Sequence, residues 1–261
     1  MFDDSAVSGP EAASLGEFRI CVEKKGLHCP PGRDNDELLL RFLRARMLDV
    51  PKAAAMYEEF VRWHKEQSVD SVLEDFSYPE LERVIEAWPQ AWHKTDKRGR
   101  PVNIQLFSRL NVEALFEATS EERLIRRGLW VLEDLHQNKL PACSRDAGHH
   151  VGRVTIVIDL KNVGISTFTN SRVRKILSHF AHVFSQYYPE YLGQVIIVNA
   201  PVSFKIVWQL LGPFMDEKTR KKISIHRGDG SESLLEAIDS EDLPAVLGGS
   251  CHCKVCKSFS R

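Results

Sequence analysis

Excess positive charge is the first thing this chain lacks. Lys and Arg number 35 against 36 Asp and Glu, a formal net charge of −1, so no broadly basic surface exists to hold nucleic acid. Long apolar runs are also missing. None approaches the roughly 18 residues that a membrane span requires. The opening Met1-Phe2-Asp3-Asp4-Ser5 has neither the basic nor the apolar region of a secretory leader, and a cytoplasmic chain is expected. Enzyme signatures are absent too: no Gly-x-Ser-x-Gly elbow, no P-loop and no Gly-x-Gly-x-x-Gly after a strand. Gly228-Asp229-Gly230 is too short to cradle a pyrophosphate, and the adjacent His149 and His150 point apart. The reading is therefore a non-enzyme with no catalytic residues and no cofactor. Cysteine is sparse, with six residues, and its spacing gives no disulfide framework. Cys21, Cys29 and Cys143 read as free thiols. Cys251-His252-Cys253-Lys254-Val255-Cys256 crowds its donors too closely to close a tetrahedron without strain, and no second Cys-x-x-Cys lies elsewhere. The expectation is no metal and a reduced, flexible tail over 251–261.

What is present is an ordinary globular composition, 43% hydrophobic and 27% charged, over 261 residues. Residues 1–14 are small and acidic and are expected to be disordered. Asp34 and Asp36 can cap a helix through Leu38–Arg46, and Pro51 suits the first turn of the next, so 15–75 reads as a small helical bundle. Beyond it, 76–250 alternates strands with helices. Val102–Leu106 is a strand after the Gly99-Arg100-Pro101 turn, and Val154–Leu160 is an apolar, β-branched run suited to a strand covered on both faces. Thr119-Ser120-Glu121-Glu122 opens a helix, and Val173 through Tyr187 keeps helical spacing up to Tyr188-Pro189-Glu190-Tyr191. Strands at 195–199 and 223–225 flank a helix over 203–215 whose stripe is Phe204, Val207, Trp208, Leu211 and Phe214. The pattern predicts an α/β domain with a largely parallel sheet flanked by helices, preceded by the bundle.

Several spaced motifs point further. Asp36-x-x-Leu39-Leu40-Arg41-Phe42-Leu43-Arg44-Ala45-Arg46, His93-Lys94-Thr95-Asp96 with Gly99-Arg100-Pro101-Val102, Asp159-Leu160-Lys161, Tyr188-Pro189-Glu190, Asn199-Ala200-Pro201, Pro213-Phe214 and Leu243-Pro244 through Gly248-Gly249 occur in order. Over roughly residues 15–250 this series resembles the CRAL-TRIO (Sec-fourteen-like) lipid-transfer proteins. The resemblance implies binding and exchange of phosphatidylinositol in an apolar cavity closed by a gate helix, here 203–215. It implies headgroup contacts from Arg46, Glu190, Thr219 and Lys222, with Arg and Lys for phosphate and Glu for inositol hydroxyls. The family's Arg after that Glu is Tyr191 here. The positions that hold choline lipids carry Asn103, Val154 and Ile156 in place of Tyr, Ser and Thr, which argues against phosphatidylcholine and for a more apolar second ligand such as a sterol.

The implied partners are phosphatidylinositol, another phospholipid or a sterol, and a transient membrane surface, Golgi or endosomal by resemblance. Lys218, Arg220, Lys221 and Lys222 form a basic patch suited to that surface. An alternative is a sensing module that presents a sterol or other apolar ligand to a partner such as a lipid kinase. A small-molecule enzyme on an α/β fold is a third reading, which would need a polar pocket of clustered titratable groups.

Overall fold

The computed structural model describes residues 7–30, 33, 35–212, 215 and 217–259. The first helix, Gly9–Lys24, begins inside the segment expected to be disordered. Its reason is local: Ser8 and Glu11 form a reciprocal capping box, with Pro10 in the first turn. Asn35–Ala45 and Val50–Glu66 complete the bundle. Asp49 caps the last of these through the Lys52 N–H. Phe18, Leu39, Phe42, Leu43, Tyr57 and Phe60 fill the space between the three. Phe42 and Tyr57 meet edge to face at 5.3 Å.

Five strands follow: β1 (Gln90–Thr95), β2 (Pro101–Leu106), β3 (Val154–Asp159), β4 (Leu192–Val198) and β5 (Ile223–Ile225). They lie in sequence order across one sheet, β1 antiparallel to β2 and every other pair parallel. The crossovers carry the helices Glu121–Asp134, Leu140–Ala147 and Ser171–Tyr187 between β2 and β4, and Lys205–Leu211 between β4 and β5. A π-helical turn, Leu135–Lys139, joins the first two.

Period-two alternation sends the two faces of each strand into different cores. Val102, Ile104, Leu106, Val157, Ile196 and Val198 pack beneath Leu234, Ile238, Leu243 and Phe259. Val154, Ile156, Val195 and Ile197 face the crossover helices. The C-terminal segment is thus part of the fold. Cys251 pairs with Pro244, Lys254–Ser258 is helical, and Phe259 is buried in the sheet's lower core. The expected flexible tail is corrected here: Phe259 and the flanking Val255 give it apolar surface to bury, and the Arg109 guanidinium donates to the Phe259 carbonyl at 2.8 Å. Among the described residues no helix is long and apolar enough to cross a membrane.

Candidate functional site

The turn after helix Ser171–Tyr187 places four side chains in four different environments. Tyr187 stacks on Trp63 of the bundle, ring centroids 4.1 Å apart and nearly parallel. Tyr188 is buried, and its hydroxyl donates to Glu133. Tyr191 is buried as well, beneath the Arg41 guanidinium at 3.9 Å from the ring centroid. Glu190 takes a left-handed φ of 63°, which turns its carboxylate the other way.

That carboxylate accepts from Lys218, from Arg153 at 3.3 Å and from Lys222 at 3.4 Å. Burial alone would raise its pKa. The Lys222 charge, then Lys218 and Arg153, outweigh burial and hold it below the usual carboxylate range. Lys222 is shifted down, by burial first, with Glu190 opposing. The group sits beside a cleft of about 540 Å³ lined by Arg98, Arg100, Arg153, Lys218, Lys221 and Lys222. Buried Asp96 shapes one wall, because its Oδ1 accepts from the Arg98 and Arg100 N–H groups and its Oδ2 from Thr155 Oγ1 at 2.6 Å. Gly193 leaves room for Arg100 to lie across β4: a Cβ there would stand 2.7 Å from its Nη1.

The cleft is therefore strongly cationic, with the Glu190 carboxylate at its margin and the Asp96 carboxylate already satisfied within its wall. Such a set holds a phosphate through Arg and Lys and a sugar hydroxyl through the Glu190 carboxylate.

Of the residues expected from the sequence, Glu190 and Lys222 are brought together. Thr219 lies on the short helix Glu217–Arg220 between Lys218 and the cleft's Lys221. Arg46 is placed elsewhere: its guanidinium donates to the Ala45 carbonyl, and the bundle arginine that reaches the turn is Arg41, through the Glu190 carbonyl at 3.2 Å. Position 191, Tyr here in place of the family's Arg, receives the Arg41 guanidinium on its ring. Arg33, Arg98, Arg100, Glu133, Arg153 and Lys218 were not singled out as site residues. For Lys218 the adjacent basic run was the available signal; Arg33, Glu133 and Arg153 meet their partners across distant segments, and Arg98 and Arg100 are joined locally to Asp96.

A second, apolar cavity of about 180 Å³ lies between the sheet and the crossover helices. Asn103, Val154 and Ile156 all line it, and Asn103 is the register partner of Ile156 across β2 and β3. Phe180 intrudes on it and rests against Gly128, where a Cβ would come within 2.0 Å of the ring. Phe204 and Val207 of the expected gate are buried and Trp208 packs against the same core. The Leu211 side chain and Phe214 lie outside the described residues.

The chain matches known proteins over most of its length. Residues 85–249 match the CRAL/TRIO domain and residues 22–59 the CRAL/TRIO N-terminal domain. The chain belongs to the CRAL/TRIO family. Its relatives include the SEC14 cytosolic factor of Kluyveromyces lactis, 37% identical over 92% of this chain and 78% of that one. The Sec14 cytosolic factor of Schizosaccharomyces pombe is 35% identical over 95% and 85%. The phosphatidylinositol/phosphatidylcholine transfer protein SFH7 of Arabidopsis thaliana is 34% identical over 95% of this chain. This CRAL/TRIO chain spans 45% of SFH7, and half of the SEC14 cytosolic factor of Yarrowia lipolytica, to which it is 35% identical. The crystal structure of Sfh5 shares the CRAL/TRIO chain's fold with a TM-score of 0.69 at 20% identity, covering 96% of this chain and 89% of that one.

Proposed function

We propose that this chain binds phosphatidylinositol and exchanges it against a second hydrophobic lipid at membrane surfaces. The observation that carries the reading is the Glu190 carboxylate held among Lys218, Lys222 and Arg153 at a six-cation cleft. A phosphoinositide headgroup offers that cleft an anion and, to Glu190, hydroxyl donors. Thr219 Oγ serves as either donor or acceptor. The relatives named as phosphatidylinositol/phosphatidylcholine transfer proteins support the same ligand class.

Energetics require a protected acyl compartment. A two-chain lipid with about 30 methylenes loses on the order of 20 kcal/mol if its chains meet water, at about 0.8 kcal/mol per methylene. The apolar cavity of about 180 Å³ is smaller than the ~300–1,000 Å³ typical of pockets for drug-sized ligands, so loading a lipid entails parting its walls. Phe204, Val207, Trp208, Leu211 and Phe214 are assigned as the face that moves and meets the bilayer. The Val154 and Ile156 walls favour a sterol or other apolar second ligand over a choline headgroup. Transient contact with Golgi or endosomal membranes, and presentation of lipid to a lipid kinase, are consistent extensions of this role.

The test is transfer of labelled phosphatidylinositol between vesicles, with phosphatidylcholine and sterol transfer measured in parallel. Glu190→Ala and Lys222→Ala are expected to lower inositol-lipid transfer at least about tenfold, the effect of about 1.4 kcal/mol of lost headgroup binding. Unchanged transfer in both variants would remove the cleft from the reaction.

A further inference from the structure

Four soft donors converge on the sheet face opposite the apolar cavity. They come from β1 and from the C-terminal segment: His93, Cys251, Cys253 and Cys256, whose ligand atoms all lie within 4.8 Å of one another. Three of the four are almost fully buried, His93 at 3%, Cys256 at 4% and Cys251 at 6% exposure. The sulfurs of Cys253 and Cys256 are 3.7 Å apart, and the Cys256 sulfur is 3.5 Å from His93 Nε2. A tetrahedral zinc ion with Zn–S of about 2.3 Å and Zn–N of about 2.0–2.1 Å has S···S edges of about 3.8 Å and S···N edges of about 3.5 Å. No ligand atom of the four is more than 4.8 Å from another, and these two separations match the edges of a zinc tetrahedron. They are far from the ~2.05 Å of a disulfide.

Each donor is aimed by a separate piece of local structure. β1 carries an irregularity between Trp92 and Thr95 with Lys94 at φ 50°, and such bulges re-aim a neighbouring side chain. Ala91, two residues earlier, marks the same face as the lower core. Gly248, at φ 89°, turns the chain, and Gly249 then passes so close to Leu243 that a Cβ would stand 2.0 Å from its carbonyl oxygen. Cys251 is fixed immediately afterwards: its N–H donates to Leu243 and its carbonyl accepts from Ala245. Cys253 stands just before helix Lys254–Ser258, and Cys256 lies one turn into it. The backbone N–H groups of Cys256 and Val255 face the Cys253 sulfur, the outer-shell support a metal-bound thiolate uses. The Lys94 ammonium is near enough to interact with Cys251 and Cys253 while it is held by Asp242.

We propose that His93, Cys251, Cys253 and Cys256 form a structural zinc site that staples the C-terminal segment to β1. Three thiolates and one imidazole select a borderline-soft, tetrahedral divalent ion, and four protein donors leave no open position for a substrate. The three cysteines alone cannot close the tetrahedron, as their spacing implies. The fourth donor arrives from a strand about 160 residues earlier, as the 163-residue separation of His93 and Cys256 shows. Once bound, the ion ties Phe259 and Val255 over the lower core of the same sheet whose upper face lines the apolar cavity.

The chain, expressed in zinc-supplemented medium and washed with a weak chelator, is expected to carry about one zinc ion by elemental mass spectrometry. Co²⁺ exchanged into it should show the visible bands of a tetrahedral thiolate complex. His93→Ala and Cys253→Ser should lose the ion, whereas Cys29→Ser and Cys143→Ser should retain it. Because the ligand variants can misfold, a second measurement uses the unaltered chain: a strong chelator should lower its melting temperature and added Zn²⁺ should restore it. Absence of zinc from the native chain, an octahedral Co²⁺ spectrum, a mass showing a Cys253–Cys256 disulfide, or retention in His93→Ala would each overturn the proposal. None of these outcomes depends on lipid transfer.

Discussion

The Arg33–Glu133 pair offers the sharpest stability test. Both side chains are 1% exposed, and the pair joins the bundle to helix Glu121–Asp134 across 100 residues. Glu133 also accepts from the Tyr188 hydroxyl, while Arg33 donates to the Tyr191 hydroxyl at 3.4 Å and lies over the Phe60 and Tyr188 rings. Glu133→Ala would strand a buried guanidinium. Breaking a buried pair from one side costs about 3–5 kcal/mol, mostly as the penalty of the uncompensated charge. At about 2–4 °C per kcal/mol for a domain near this size, the melting temperature should fall by about 6–20 °C. Tyr188→Phe removes one hydrogen bond to a charged group and should cost about 1.5–3 kcal/mol. Replacing Arg33 and Glu133 together by methionine should recover much of the loss, because no charge is then buried. The assay is urea unfolding followed by circular dichroism and by tryptophan emission, since Trp63 reports whether the bundle stays on Tyr187. A Glu133→Ala cost below about 1 kcal/mol, or a double variant no better than the single, would refute the reasoning.

Acid should weaken the fold before carboxylates titrate. Burial, reinforced by Arg33, holds His64 and His136 down at about 3, and Arg41 adds to the effect on His136. Folded values below the unfolded ~6.5 mean that the unfolded chain protonates first. The contribution is therefore complete above about pH 6.5 and is lost as pH falls towards 3, at up to about 1.4 kcal/mol per pH unit per histidine. Urea melts between pH 7 and 5 should show that slope, and His64→Gln should lower it by about half; a flat profile would count against buried neutral imidazoles. Gly128→Ala places a methyl against the Phe180 ring and should cost about 1–3 kcal/mol, read by thermal unfolding. Removing Lys218 and Lys221 together should weaken binding to anionic vesicles about 25-fold at low salt, at about 1 kcal/mol per lysine; neutral vesicles serve as the control.

The apolar strands were legible because Val154–Ile158 and Val195–Val198 combine β-branching with burial on both faces. β1 was not, since Gln90-Ala91-Trp92-His93-Lys94-Thr95 lacks an apolar run and its bulge breaks the alternation. Helix Gly9–Lys24 was obscured by its small, acidic start; its Ser8–Glu11 capping box emerges in the structure. Glu190 and Lys222 came from motif resemblance, which the structure brings to 3.4 Å. Arg153 could not be found this way, because tertiary packing alone sets its distance to Glu190; Arg100 stood in a quoted motif, but only packing places it against Gly193. The tail's order was hidden for a related reason: the partners that hold it, His93 of β1 and the sheet's lower core, lie far away in sequence.

Glu190 holds its place against its own backbone. A non-glycine residue at φ 63° costs about 1–2 kcal/mol, and Gly or Asn would sit there more comfortably. Laboratory evolution that rewards heat resistance alone should therefore drift away from glutamate at this position. Lineages that do so would gain robustness while losing the acceptor that opposes the basic cleft. Survival of glutamate through such a selection would show instead that its ties to Lys218, Lys222 and Arg153 outweigh the twist.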